Sequence, residues 1–202
     1  MPIKNIIFDV GNVFIYWAPE KLFKRYFKTD DALRKFFEEV DFKRMVKETD
    51  RGMPFRKSID LAIERAPEHK EPLLAYDAEW ERTLHGEVDG TKDLAKRLKK
   101  AGYKTYILSN FNAEKFEACS QIYGFTKHMD GCVVSAHVRE VKPEEPIYKI
   151  LLQNYKLKPE ECVFMDDRQE NLDTAERLGF KTILFTETGK AEKELRSLGV
   201  KF

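Results

Sequence analysis

Hydrophobic and polar positions follow two regimes along the chain. From residue 91 to the end, short β-branched or aromatic runs alternate with helical patterns. Tyr103 to Leu108, Gly131 to Val134, Cys162 to Met165 and Lys181 to Phe185 have the nearly unbroken apolar character of strands buried on both faces. The stretches between them end at Gly102, Gly124, Gly179 and Gly199, where a left-handed C-terminal helix cap favours glycine. Leu94 with Leu98, and Phe116 with Cys119 and Tyr123, form apolar stripes, and Lys92, Lys96, Lys99 and Lys100 cover an outer face. Such alternation predicts an α/β fold, a Rossmann-like parallel sheet with helices on both faces. Ile3 to Phe8 adds a fifth strand.

After that strand the period changes. Leu22, Phe23, Tyr26 and Phe27, then Leu33, Phe36, Phe37 and Val40, then Ile59, Ala62, Ile63 and Ala66 recur at helical spacing, punctuated by Pro54, Pro67 and Pro72. No strand is predicted between Trp17 and Gly86. The chain therefore reads as an α/β core of residues 1–14 and 86–202, interrupted by a small all-helical insertion of residues 15–85. Core packing accounts for the insertion's aromatic stripes.

Composition narrows the class. With 36 Lys and Arg against 35 Asp and Glu, the net charge of +1 gives no footprint for nucleic acid or a membrane surface. The three cysteines, Cys119, Cys132 and Cys162, are far apart and in no C-x-x-C spacing, which argues against a disulfide framework or a structural zinc site. The N-terminus lacks a basic region followed by an apolar run, and no apolar stretch nears the roughly 20 residues a membrane span needs. A cytoplasmic monomer acting on a small molecule is the expectation.

Ligands of an open parallel sheet bind outside the carboxyl ends of its strands. Those positions hold Asp9 after Ile6-Ile7-Phe8, Ser109 and Asn110 after Tyr106-Ile107-Leu108, and Asp166 and Asp167 after Val163-Phe164-Met165; Lys142-Pro143 precedes a predicted helix. Singly each has an ordinary explanation: a turn cap for Asp9, loop residues for Ser109 and Asn110, a solvated lysine for Lys142. Two adjacent acids after a buried strand are harder to dismiss, because they repel unless a cation sits between them. Asn171 can orient Asp167 or cap the following helix.

In order and spacing these segments resemble the haloacid dehalogenase (HAD) superfamily. The resemblance rests on Phe8-Asp9-Val10-Gly11-Asn12-Val13, Leu108-Ser109-Asn110, Val141-Lys142-Pro143, Phe164-Met165-Asp166-Asp167 with Asn171, and Leu178-Gly179-Phe180. It is nearest to the sugar-phosphatase branch that includes α-glucose-1-phosphate phosphatases, and it likens the insertion to the superfamily's mobile cap. The resemblance implies a phosphohydrolase in which Asp9 is the nucleophile and forms an aspartyl-phosphate. It further implies Mg2+ held by Asp9, Asp166, Asp167 and the main-chain carbonyl of Gly11. Ser109 and Asn110 would donate to phosphoryl oxygens, Lys142 would supply positive charge, and Gly11 and Asn12 would line the substrate site.

One departure matters. Most phosphatases of this superfamily carry a second aspartate two residues after the nucleophile, as general acid and base, and here that position is Gly11. Such catalysis contributes about 10²- to 10⁴-fold. Tyr16, Asp50, Arg51, His85 and His137 are the substitutes the sequence offers, without a choice among them. The missing acid also keeps other readings open: a metal-independent 2-haloacid dehalogenase, a catalytically weak protein binding a phosphorylated metabolite, and a phosphomutase. The paired acids Asp166 and Asp167 weigh against the dehalogenase.

Overall fold

In a computed structural model that describes residues 1–202, strand β1 (Asn5–Phe8) is followed by β2 (Ile15–Trp17) and then by five helices. These are α1 (Pro19–Phe23), α2 (Asp30–Glu39), α3 (Phe42–Asp50), α4 (Phe55–Arg65) and α5 (Lys70–Ala78). The alternating part comprises β3 (Leu84–Glu87), α6 (Thr91–Lys100), β4 (Lys104–Ser109), α7 (Ala113–Tyr123), β5 (Gly131–Val134), α8 (Ser135–Val138), α9 (Glu145–Tyr155), β6 (Cys162–Asp166), α10 (Gln169–Arg177), β7 (Lys181–Leu184) and α11 (Thr188–Ser197). No helix is long and apolar enough to cross a membrane.

Five parallel strands form the central sheet in the order β5-β4-β1-β6-β7. Alternation along β1 sends Ile6 and Phe8 to one face and Ile7 to the other. On the first face they join Leu94 and Leu98 of α6, Phe116 and Cys119 of α7 and Leu195 of α11. On the second, Ile7 packs with Tyr106, Leu108, Ile147, Tyr148 and Leu151. Helices thus cover both faces, as the apolar runs predict. The four stop glycines all have positive φ, from +63° at Gly124 to +95° at Gly179, which is the conformation that ends each helix.

The insertion is helical, with one correction. β2 and β3 pair antiparallel, Ile15 with Glu87 and Trp17 with Leu84, and form a short stem at its base. β3 starts before Gly86, inside the stretch predicted to lack strands. Leu84-His85-Gly86-Glu87 has no β-branched residue, and its partner lies far away in sequence, so tertiary pairing rather than propensity makes it a strand.

Helix α2 begins where Thr29 accepts a hydrogen bond from the Ala32 amide, with Asp30 and Asp31 in the first turn. Its inner face brings Phe36 against Phe23, with ring centroids 4.8 Å apart, and Phe23 also meets Phe42 and Tyr76. Truncating Phe23, which is fully buried, would cost about 3–5 kcal/mol. The same apolar cluster runs on through Phe14 and Val10 into the sheet. Two further contacts fasten the end of α3 to the α/β part. Arg51 forms an ion pair with Glu144, and Gly52, at φ +95°, approaches so closely that a Cβ there would lie 2.9 Å from the Ala136 carbonyl oxygen.

Candidate active site

The sheet gathers the chemistry by ending three neighbouring strands together. Asp9 follows β1, and its amide donates to the Met165 carbonyl at 2.9 Å, so the nucleophile candidate is tied to the strand that ends in Asp166. Ser109 is the last residue of β4, and Asp167 follows β6. Carboxylate oxygens of Asp9, Asp166 and Asp167 all lie within 4.8 Å of one another.

Lys142, 4% exposed, neutralises part of this cluster. Its Nζ lies 2.6 Å from Asp166 Oδ2 and 2.9 Å from Asp9 Oδ1, and it donates to the Leu108 carbonyl at 2.9 Å. Burial works against the ammonium, but Asp166 and Asp9 outweigh it and hold the lysine above its ordinary range. Burial pushes the Asp9 carboxyl up to about 6; Lys142 opposes that rise, while Asp166 and Asp167 add to it. Asp167 is likewise raised, mainly by burial, against a hydrogen bond from Asn12.

Three asparagines have hydrogen-bond partners that the sequence reading did not name, and Asn12 and Asn110 also line the cavity between the strand ends and the insertion. Asn110, expected to contact substrate, spends its side-chain amide on the Lys142 backbone, donating to its carbonyl at 2.9 Å and accepting from its amide at 2.8 Å. That clamp positions the lysine. Asn12, also expected to face substrate, donates to Asp167 Oδ2 at 2.9 Å and accepts from the Trp17 amide at 3.3 Å. Asn171 neither orients Asp167 nor caps a helix: its amide donates to Asp166 Oδ1 at 2.9 Å. Asp166 Oδ1 also accepts from the Arg168 amide, so both oxygens of Asp166 are engaged.

The residues suit a hard divalent cation. Oxygen donors are what magnesium prefers, and Asp9, Asp166 and Asp167 bring three carboxylates within 4.8 Å of one another beside a single ammonium. With Asp166 held by Lys142, Asn171 and the Arg168 amide, Asp9 and Asp167 are the freer ligands. Ser109 Oγ is buried without a partner, a donor available to a bound anion. Ser109 and Asp166 nevertheless lie behind the cavity wall rather than on it.

Between the strand ends and the insertion is a cavity of about 200 Å³. Asp9, Gly11, Asn12, Asn110, Lys142 and Asp167 line its floor. Its upper wall is aromatic, with Trp17, Phe55, Tyr76, Trp80 and Phe111, and carries Asp50 and Lys115. The ammonium of Lys115 sits 4.4 Å from the Phe55 ring centroid and 5.5 Å from that of Trp80. Sequence reasoning missed Lys115, Tyr76 and Trp80. Their helical spacing signals a buried face but not what the face encloses.

Comparison with known proteins agrees with this geometry. A family model described as haloacid dehalogenase-like hydrolase matches residues 3–179. Bifunctional epoxide hydrolase 2 of Rattus norvegicus is 37% identical over 108 residues, 52% of this chain and 20% of that protein. The chain thus spans only about a fifth of the length of the first curated relatives it matches. D-ribitol-5-phosphate phosphatase of Bacteroides thetaiotaomicron is 27% identical over 192 residues, covering 89% of this chain and 90% of that one. A HAD-family enzyme from the same organism, solved with magnesium and inorganic phosphate, shares the fold at a TM-score of 0.73 with 21% identity, covering 91% of this chain and 94% of that one.

Proposed function

Since the chain belongs to the haloacid dehalogenase-like hydrolase family, we propose that it is a magnesium-dependent phosphohydrolase acting on a small phosphorylated metabolite, a sugar phosphate by preference, through an aspartyl-phosphate on Asp9. The observation that carries the reading is the cluster of Asp9, Asp166 and Asp167 around the buried ammonium of Lys142. A carbon-centred dehalogenation has no use for three clustered carboxylates, whereas a phosphate dianion approaching a carboxylate nucleophile needs cationic screening.

In this reading Asp9 attacks phosphorus with one carboxylate oxygen, and the bond to the alcohol oxygen breaks. Lys142, clamped by Asn110, places positive charge where the equatorial oxygens gather it. Ser109 offers its unpartnered hydroxyl to the same group. Asp9, Asp167 and the Gly11 carbonyl would hold magnesium, which would supply charge neutralisation between the carboxylate nucleophile and the phosphate. Water later attacks the acyl phosphate and releases inorganic phosphate and free Asp9.

The proposal also assigns the segment of residues 15–85 the role of a cap closing over the strand ends of a core made of residues 1–14 and 86–202. Its aromatic wall and the small cavity suit a compact organic group better than a polymer. The test is phosphate release from a panel of sugar phosphates and p-nitrophenyl phosphate, with magnesium, with chelator, and with Asp9→Asn. Release that needs both the metal and Asp9 supports the reading. Halide release from haloacids without phosphate release would replace it.

A further inference from the structure

Both chemical steps proposed above move a proton: the departing alkoxide must gain one, and the attacking water must lose one. The floor of the cavity supplies no group for this. Gly11 has no side chain, and open space surrounds the point where its Cβ would be. Asp9 is the nucleophile, Lys142 is a cation held by two carboxylates, and Asp167 is bound to Asn12. Among the substitutes named from sequence, Tyr16 is 46% exposed and outside the cavity, Arg51 is paired with Glu144, the His85 ring lies against the Ala18 carbonyl, and His137 does not line the cavity.

Asp50 remains, and it differs from all of them. It is the last residue of α3, half-buried, and lines the cavity from the side of the insertion, across from Asp9. It lies outside the cluster of carboxylates suited to a metal. No hydrogen bond stabilises its carboxyl; the charged groups that act on it are Asp9, Lys142 and Arg168, and the neighbouring phenol Tyr76 acts with it. A carboxyl placed in an aromatic-walled cavity without a partner costs folding free energy, and nothing in the packing of α3 requires it. The Gly52 contact with Ala136 and the Arg51–Glu144 pair fix the end of the helix that carries it.

We propose that Asp50, delivered from the helical insertion, is the proton-exchanging residue of this active site. The inference rests on the phosphohydrolase reading. In the first step the Asp50 carboxylic acid gives its proton to the leaving oxygen as the phosphorus–oxygen bond breaks, producing the free alcohol and the Asp50 carboxylate. In the second, that carboxylate takes a proton from the water that attacks phosphorus, and Asp9 leaves as carboxylate. Burial, reinforced by Asp9, pushes the Asp50 carboxyl up to about 7, so both protonation states are populated near neutrality.

The experiment compares wild type, Asp50→Asn and Asp50→Glu on an alkyl phosphate and on p-nitrophenyl phosphate, with phosphoenzyme followed by intact-protein mass. Asp50→Asn should lower kcat on the alkyl ester by about 10²- to 10⁴-fold with little change in KM. On p-nitrophenyl phosphate, whose leaving group needs no acid, the same variant should show a burst of nitrophenol and accumulate a species one phosphoryl group heavier. Asp50→Glu should recover part of the loss. Equal losses on both esters without a burst, or a loss confined to KM, would overturn the assignment. If wild type itself releases no Asp9-dependent phosphate, the phosphohydrolase reading has failed, and that result precedes any comparison of Asp50 variants.

Discussion

Replacing the nucleophile should make the protein more stable while abolishing its activity. Asp9 is 7% exposed, and its carboxyl is raised from 3.8 to about 6, because burial and two neighbouring acids outweigh the attraction of Lys142. At pH 7.5 the folded chain must hold this group ionised against a shift of about two pKa units, a cost of about 3 kcal/mol. The neutral amide of the Asp9→Asn variant carries no such charge. The direction with pH follows from proton binding. Between 3.8 and about 6 the folded state holds more protons at this site than the unfolded state, so its contribution to stability declines as pH rises through that window and is level above it.

Asp9→Asn should therefore raise the melting temperature in chelator by roughly 6–12 °C at pH 7.5, taking about 2–4 °C per kcal/mol for a chain of this size. At pH 4 the gain should nearly vanish. Asp50 adds to the difference in the same direction, because the Asp9 charge helps to raise its carboxyl and the neutral amide does not. Magnesium should close most of that gap, since wild type gains about 2.7 kcal/mol at a hundredfold excess over Kd while the variant, lacking a ligand, gains less. Differential scanning calorimetry at the two pH values, with chelator and with magnesium, reads all of this. A variant that melts below wild type in chelator, or a gain that does not change with pH, would refute the electrostatic account of the site.

Lys142→Met should abolish phosphate release and also destabilise the fold by about 3–5 kcal/mol, because Asp166, fully buried, would lose the ammonium 2.6 Å away; denaturant unfolding at neutral pH checks the second effect. Gly131→Ala should cost about 1–3 kcal/mol, since its Cβ would fall 2.2 Å from the Tyr155 ring, which is anchored by hydrogen bonds between its hydroxyl and the backbone of Cys132. The midpoint of urea unfolding measures it, and a neutral result would mean that the Tyr155 ring is free to move.

The parts of this molecule readable from its sequence are those set by local or one-dimensional rules. β1, β4 and β6 announce themselves because a strand buried on both faces has to be apolar throughout, the partly buried edge strands β5 and β7 show shorter apolar runs, and the sheet then brings Asp9, Ser109 and Asp166 together simply by ending adjacent strands side by side. What remained hidden depends on direction and distance between elements. An asparagine amide can serve substrate, metal ligand or backbone equally well, and only the approach of Val141-Lys142 to the end of β4 decides that Asn110 clamps the lysine. The pairing of β2 with β3 and the position of Asp50 share one cause, the way the insertion folds back over the strand ends. Periodicity marks the insertion as helical but does not show that the last residue of α3 lines the cavity, two positions before a Gly52 that leaves no room for a Cβ beside the Ala136 carbonyl oxygen. That places a residue the sequence could name but not choose on the segment whose position over the sheet the sequence could not show. A catalytic group carried there would join the nucleophile only when the insertion lies over the sheet, so proton transfer in this protein would be tied to closure in a way that an acid on the strand itself could not be.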